Sequence, residues 1–197
     1  MVRFGKERFD KNYQNLVGMK ARSMLHQNSK ELVSVLQEND VIFDGMNIFE
    51  LGSGPARNLK YINDVNGSVN LYCNDLWKSS SMKNMCETIK DKINFYEMDS
   101  LSFVKNFDFS FHMDLFISSD HLMHISYEDA DEIIKSIRDF CKPSYILLRE
   151  VRKKNETPNH PRLFHDYNQL LDSYNLIHER ISNQTDAYFI MLLKRKN

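Results

Sequence analysis

The stretch MNIFELGSGPARN, residues 46 to 58, constrains this chain more than any other. Apolar Met46, Ile48 and Phe49 lead to Glu50, Gly52 and Gly54 follow two apart, and after Pro55 comes the helix-compatible run ARNLKYI. That order reads as strand, tight glycine turn and helix. A strand that feeds a helix through glycines aims backbone N–H groups and the positive end of the helix dipole at one spot, a place to hold a carboxylate or phosphate. Glycine pairs also close plain turns, so the motif needs support from elsewhere in the chain.

The first support is Asp75. SVNLYCND alternates Val69, Leu71 and Cys73 as a strand and closes on that acid. Asp75 follows the glycines by about twenty residues, the separation at which a βαβ unit brings a carboxylate to ribose hydroxyls. Gly67 is expected to end the intervening helix. SSSMKNMCETIK, residues 79 to 90, predicts a serine-capped helix with Met82, Met85, Cys86 and Ile89 on one face.

INFYEMDS then predicts a third strand ending in Asp99, and HMDLFISSDH a fourth, Leu115 to Ser118. YEDADEIIKSIRDF places acids in a first helical turn and Ala130, Ile133, Ile134 and Ile137 at helical spacing, and Pro143 stops it. SYILLREV is a fifth strand whose near-continuous apolar run implies burial on both faces. The polar, proline-marked RKKNETPNHPR is expected to be a mobile loop on the substrate side. A helix at about 164 to 173 leads to NLIHERI and AYFIMLLKR, an antiparallel pair joined by SNQTD. Upstream, residues 6 to 38 predict two helices, from which Tyr13, Arg22 and His26 would fold over a ligand or serve as solvated polar positions.

Strands alternating with helices, then an antiparallel pair, make an α/β protein: a doubly wound, mostly parallel sheet with helices on both faces and a ligand crevice at the strand carboxyl ends. With 197 residues the expectation is a single domain, 1–44 forming an N-terminal helical cap and 45–197 the core. A formal net charge of -1 supplies no field to attract nucleic acid or an anionic membrane. Cys73, Cys86 and Cys141 have no metal-ligand spacing and read as reduced core thiols. Without an apolar leader or a membrane-length window, the expected location is cytoplasmic.

Four segments, ELGSGPARNL, YCNDLW, MDS and MDLFISSDHLMHI, run in that order within residues 46 to 151. Together they resemble the first to fourth motifs of the class I S-adenosylmethionine-dependent methyltransferases, which have a Rossmann-like fold. In flavour the chain is similar to small members whose first motif continues as GRNL, including ones linked to bacterial or phage surface-sugar and small-metabolite modification. The resemblance implies S-adenosyl-L-methionine as cofactor, with Gly52, Ser53 and Gly54 against its methionyl part and Glu50 shaping the loop or pairing with its ammonium. It implies Asp75 on the ribose hydroxyls, Leu76 and Trp77 beside the adenine, Asp99 on the adenine amino group and Ser100 contributing a backbone contact. Ser118 to Asp120 would line the point of methyl transfer. The family often carries a third glycine where Ala56 stands here. A dinucleotide dehydrogenase is the rival for such a fold, but its fingerprint asks for glycine where this chain has Arg57.

Methyl transfer from a sulfonium asks for in-line alignment and, for a hydroxyl acceptor, a base. No metal is required. Candidate bases are Asp120, His121 and His124, with His121 the first choice and a structural part, hydrogen-bonded histidine or cap aspartate, the alternative for each. His160, Arg162, His165 and Asp166 flank the polar loop, from which the histidines would reach an acceptor, and Arg149 would bind an anionic substrate or pair with Glu150 or another acid. The expected acceptor is a hydroxyl or amine of a small molecule or sugar. SSDH lacks the Asp/Asn-Pro-Pro-aromatic motif of amino-methylating DNA enzymes, so no nucleic-acid partner is expected. The alternatives are a nucleic-acid or protein methyltransferase, and a protein that binds, cleaves or decarboxylates the cofactor without methylating.

Overall fold

The computed structural model describes residues 19–76, 89–106, 111–151, 155–157, 160–162, 165–183 and 187–197. Tyr13, Trp77 and residues 79 to 88 of the helix expected over 79 to 90 lie outside the described residues. In chain order the elements are α1 (Met19–Glu38), β1 (Asn47–Leu51), α2 (Arg57–Val65), β2 (Asn70–Asp75) and β3 (Ile93–Glu97). There follow α3 (Ser100–Asn106), β4 (Leu115–Ser119), α4 (Tyr127–Ser136), β5 (Tyr145–Val151), β6 (Asn155–Thr157), β7 (His160–Arg162), α5 (Asn168–Leu171), β8 (Tyr174–Ile181) and β9 (Tyr188–Arg195).

Seven strands form one sheet in the order β3-β2-β1-β4-β5-β9-β8. The first five are mutually parallel, β9 runs antiparallel to β5, and β8 antiparallel to β9. This is the expected doubly wound α/β sheet with its antiparallel C-terminal pair. The strand order reverses beside β1, between β2 and β4, and in such sheets the crevice outside that point receives the ligand.

Alternation along the strands divides the core into two layers. Ile48, Leu71, Cys73, Leu115, Ile117, Leu147 and Ile190 face Leu32, Val35 and Leu36 of α1 and Leu59 and Ile62 of α2. Phe49, Leu51, Phe116, Ile146, Leu148 and Leu193 pack on the other side with Phe103 of α3 and Ile133 and Ile134 of α4. At the start of α4, the Ser126 hydroxyl accepts a hydrogen bond from the Asp129 amide at 3.2 Å. The helix continues through a π turn, Ile137–Cys141, and ends at Lys142 with φ 46°, just before Pro143.

Several sequence expectations shift. The helix after the glycine turn ends at Val65 with Asn66 as its cap, and the Asn66 carboxamide oxygen accepts from the Ser68 amide at 2.9 Å, so Gly67 is not the terminating residue. Instead of a helix at 164 to 173 there is, among the described residues, one turn, Asn168–Leu171, preceded by His165 and Tyr167, both buried. The polar segment after β5 contains a two-stranded ribbon in which Thr157 pairs with His160. Helix α3 was not anticipated; Asp99 caps it, accepting from the Ser102 amide at 2.8 Å and the Ser102 hydroxyl at 2.7 Å.

Candidate functional site

The carboxyl ends of β1 to β5 deliver an acid each, or one residue or two beyond: Glu50, Asp75, Asp99, Asp120 and Glu150. Between the first two lies the glycine turn. Gly52, Gly54 and Ala56 have φ of 59°, 51° and 52°, so three alternate residues are left-handed. Two are glycine, which tolerates that region freely, and the third, Ala56, carries about 1–2 kcal/mol of backbone strain at the entrance to α2.

The turn is stitched to β2. The Gly54 amide donates to the Asp75 carboxylate at 2.7 Å, the Ser53 amide to the Asn74 carbonyl at 3.0 Å, and the Gly52 amide to the Asn74 side-chain oxygen at 3.3 Å. Asn74 also donates to the Met98 carbonyl at 3.1 Å and to the Ser100 hydroxyl at 3.3 Å, joining the turn to the end of β3. The chain continues to His121, whose Nε2 lies 2.7 Å from the Ser100 hydroxyl. The imidazole rests on Gly52: a Cβ there would fall 1.9 Å from His121 Nδ1. Gly52 is therefore glycine for two reasons, its φ and the ring above it.

Glu50 is 2% exposed, and its Oε1 accepts from the Asn58 carboxamide at 2.6 Å. Burial pushes its pKa up to about 8, the Asn58 bond opposes, and the Asp75 charge adds to the rise. Its Oε2 and the Ser53 hydroxyl are buried without a hydrogen-bond partner among the described residues. Two orphaned oxygens beside a left-handed turn, one of them an acceptor once Glu50 ionises, are what a ligand ammonium would satisfy. The half-exposed Leu76, whose amide closes on the Asp75 carboxylate at 2.7 Å, presents an apolar side chain at the rim. The orphaned oxygens therefore fit a ligand that carries an ammonium.

Beyond β4 the chain turns through Asp120, left-handed at φ 56°. Its amide donates to the Arg149 carbonyl at 2.8 Å, and its carboxylate is paired with the Arg149 guanidinium, which lies 4.5 Å from the Tyr188 ring centre. Arg149 thus pairs with Asp120 and not with Glu150, since successive strand residues point to opposite faces. On the other face, Glu150 accepts from the Ser118 hydroxyl at 2.7 Å and from the amides of His121, Leu122 and Met123 at 3.3, 3.1 and 3.3 Å. Burial raises its pKa to about 7 against those bonds.

These placements sort the sequence candidates. Ser118 is fully buried with its hydroxyl turned to Glu150. Asp99 is exposed; against some burial, its bonds from Ser102 hold the carboxyl below its usual range. Burial and the neighbouring His124 push the His121 pKa down to about 3, so its imidazole is neutral near pH 7. His124 is exposed on the short turn Leu122–His124. His165 does not face the crevice: it is 4% exposed and donates from Nε2 to the Leu122 carbonyl at 2.7 Å. Asn58, Asn74 and Glu150 escaped sequence reasoning as site members. Asn74 had one usable signal, its place immediately before Asp75.

Among the described residues no three His, Cys, Asp or Glu side chains are gathered to hold a metal ion, and no helix is long and apolar enough to cross a membrane.

The architecture is that of the class I S-adenosylmethionine-dependent methyltransferase fold. No family model matches the sequence, and no curated protein matches it either. Solved structures do. Magnesium protoporphyrin IX methyltransferase from Synechocystis PCC 6803, with S-adenosylhomocysteine bound, is similar at a TM-score of 0.72 and 13% identity over 98% of this chain and 96% of that one. An O-methyltransferase family protein from Burkholderia thailandensis is similar at 0.68 and 16% identity, over 98% of this chain; the chain spans 64% of that protein's length. A small RNA methyltransferase is similar at 0.66 and 13% identity, over 86% of this chain and 25% of that one. These likenesses cover proteins with different acceptors on one fold.

Proposed function

We propose that this chain is an S-adenosylmethionine-dependent methyltransferase acting on a hydroxyl or amine of a small molecule or sugar. The observation that carries the reading is the glycine turn as built: Asp75 bonded to the Gly54 amide at 2.7 Å, with unpartnered Glu50 and Ser53 oxygens buried at the same turn. In this reading Glu50 and Ser53 receive the ammonium, Asp75 the ribose hydroxyls, and Leu76 and Asp99 the adenine side. The cofactor, when bound, supplies an activated methyl group. The chain supplies alignment and, where the acceptor is a hydroxyl, removal of its proton.

His121 serves alignment better than base chemistry. Its Nε2 faces Ser100, and its lowered pKa makes it a weak proton acceptor. A Ser100 hydroxyl that donates to Nε2 leaves the ring proton on Nδ1, over Gly52, as a neutral donor. Proton removal then falls to Asp120 or His124. The near-neutral charge of the chain favours a small acceptor over nucleic acid.

Calorimetry with S-adenosylhomocysteine tests the cofactor assignment. The expected result is saturable binding that Asp75→Ala weakens tenfold or more, about 1.4 kcal/mol or above. Equal affinity in the variant removes Asp75 from the site. Incubation with S-adenosylmethionine alone should leave the cofactor intact; rapid breakdown contradicts simple methyl transfer.

A further inference from the structure

Arg149 and Glu150 are adjacent in β5 and point to opposite faces of the sheet, yet both end on the same segment after β4. Arg149 holds the Asp120 side chain from one side. Glu150 takes the Ser118 hydroxyl and three successive amides, His121 to Met123, from the other. Four donors on one carboxylate that is 1% exposed is an arrangement an ionised acid satisfies and a carboxamide does not, because its NH2 would face donors. The segment so held carries the imidazole that lies on Gly52 and meets Ser100.

We propose that Glu150 is the positioning residue of the site, a buried carboxylate whose bonds to residues 118 and 121 to 123 set His121 on the glycine turn. The proposal rests on the methyltransferase reading for what the positioned turn binds, but not for the clamp itself. Glu150 does not touch the reacting groups; it acts through His121.

The surroundings make the clamp sensitive to pH. Facing Glu150 are Ser118 from β4 and the three amides of the following segment, and the Asp120 charge acts on it from the other face. Tyr167 lies near enough for Glu150 to add to the rise of its phenol pKa, and His165 is bound to the Leu122 carbonyl behind the segment. Arg149, on the opposite face, is held by Asp120. Asp120 and burial both favour the protonated acid, and the four donors favour the anion. Protonation would place a hydrogen among donors and release part of the segment.

The test compares wild type with Glu150→Gln, by amide NMR without cofactor and by S-adenosylhomocysteine calorimetry. In wild type the amides of residues 121 to 123 should shift together in one titration near neutral pH, and in Glu150→Gln that step should vanish while the far-ultraviolet circular dichroism is kept. Affinity for S-adenosylhomocysteine should fall about tenfold or more, with Glu150→Asp, one methylene shorter, regaining part of it. Unchanged amide shifts, or unchanged affinity, would overturn the proposal. If wild type does not bind S-adenosylhomocysteine, the cofactor reading fails and the amide titration still decides the clamp. Should Glu150→Gln not fold, Ser118→Ala removes one donor and should move the titration to higher pH; an unmoved step counts against the clamp.

Discussion

A Cβ built on Gly52 falls 1.9 Å from His121 Nδ1, well inside any contact distance, and the residue's φ of 59° is one an L side chain resists. Gly52→Ala must therefore expel the imidazole from the turn, breaking its 2.7 Å contact with Ser100. The expected outcome is a loss of about 1–3 kcal/mol of stability and at least a tenfold loss of S-adenosylhomocysteine affinity, measured by thermal unfolding and calorimetry. Gly54, whose added Cβ would meet nothing within 4 Å, supplies the contrast: its alanine variant should suffer from φ alone. A Gly52→Ala protein that binds as well as wild type would remove the ring from the functional picture. At this scale the sequence reveals residues that signal through spacing. Glycines two apart and an acid about twenty residues on are visible in one dimension. Asn58, Asn74 and Glu150 are not, because what distinguishes them is the partner brought up from another strand or turn, and an asparagine beside an aspartate looks the same in a plain loop.

Among the elements, α1 is fixed to the sheet by a polar anchor at one level. The Glu31 carboxylate accepts from the Ser182 hydroxyl at 2.7 Å and the Asn183 amide at 2.6 Å, while Arg180 donates to the Glu31 carbonyl at 2.9 Å and to the Ser34 hydroxyl at 2.8 Å. Residues 182 and 183 follow β8 at the edge where β5 ends, since Val151 pairs with Tyr188 and Ile181 with Phe189. At a rise of about 1.5 Å per residue, the twelve residues from Met19 to Glu31 make roughly 18 Å of helix ahead of that anchor. Glu31→Ala strips the partner from two donors that the fold keeps, so we expect a loss of about 1–3 kcal/mol in chemical denaturation. A shift below about 0.5 kcal/mol would show that the anchor is not what seats the helix. The major elements were legible because their apolar periods are unambiguous: five strands closing on acids or hydroxyls, and α4 between an acidic first turn and Pro143. The short ones were not. Helix α5 is a single turn, preceded by His165 and Tyr167, which are buried against distant residues, and the ribbon β6–β7 is written in a segment whose composition reads as loop.

For the molecule as a whole, the site concentrates buried charge that the rest of the fold must tolerate. Glu50 and Glu150 have pKa values near 8 and 7 against an ordinary 4.5, both raised first by burial. A group that binds its proton more tightly when folded stabilises below its unfolded pKa and loses that contribution as pH rises to its folded one, at about 1.4 kcal/mol per pH unit. His121 runs the other way: lowered from 6.5 to about 3, it adds stability above 6.5 that is lost as pH falls toward 3. Between 4.5 and 6.5 the histidine offsets one of the two acids, so stability already falls; above 6.5 nothing does, and the fall steepens to about pH 7 and continues to about pH 8. From these three groups the apparent melting temperature of the free protein should be highest near pH 4.5 and decline from there to about pH 8. Glu50→Gln should flatten the part of the decline between about pH 7 and pH 8, and it should be more stable than wild type there. If Glu50 receives the ammonium of the cofactor, binding favours its anion and expels its proton. Stabilisation by S-adenosylhomocysteine should then grow from about pH 6 to pH 8 in wild type, and Glu50→Gln should lack that growth and bind more weakly. Melting curves across that range, with and without S-adenosylhomocysteine, decide it. A variant whose profile overlays the wild type, in both the free and the ligand-bound series, would mean that the buried acid beside the glycine turn neither strains the fold nor recognises the ligand.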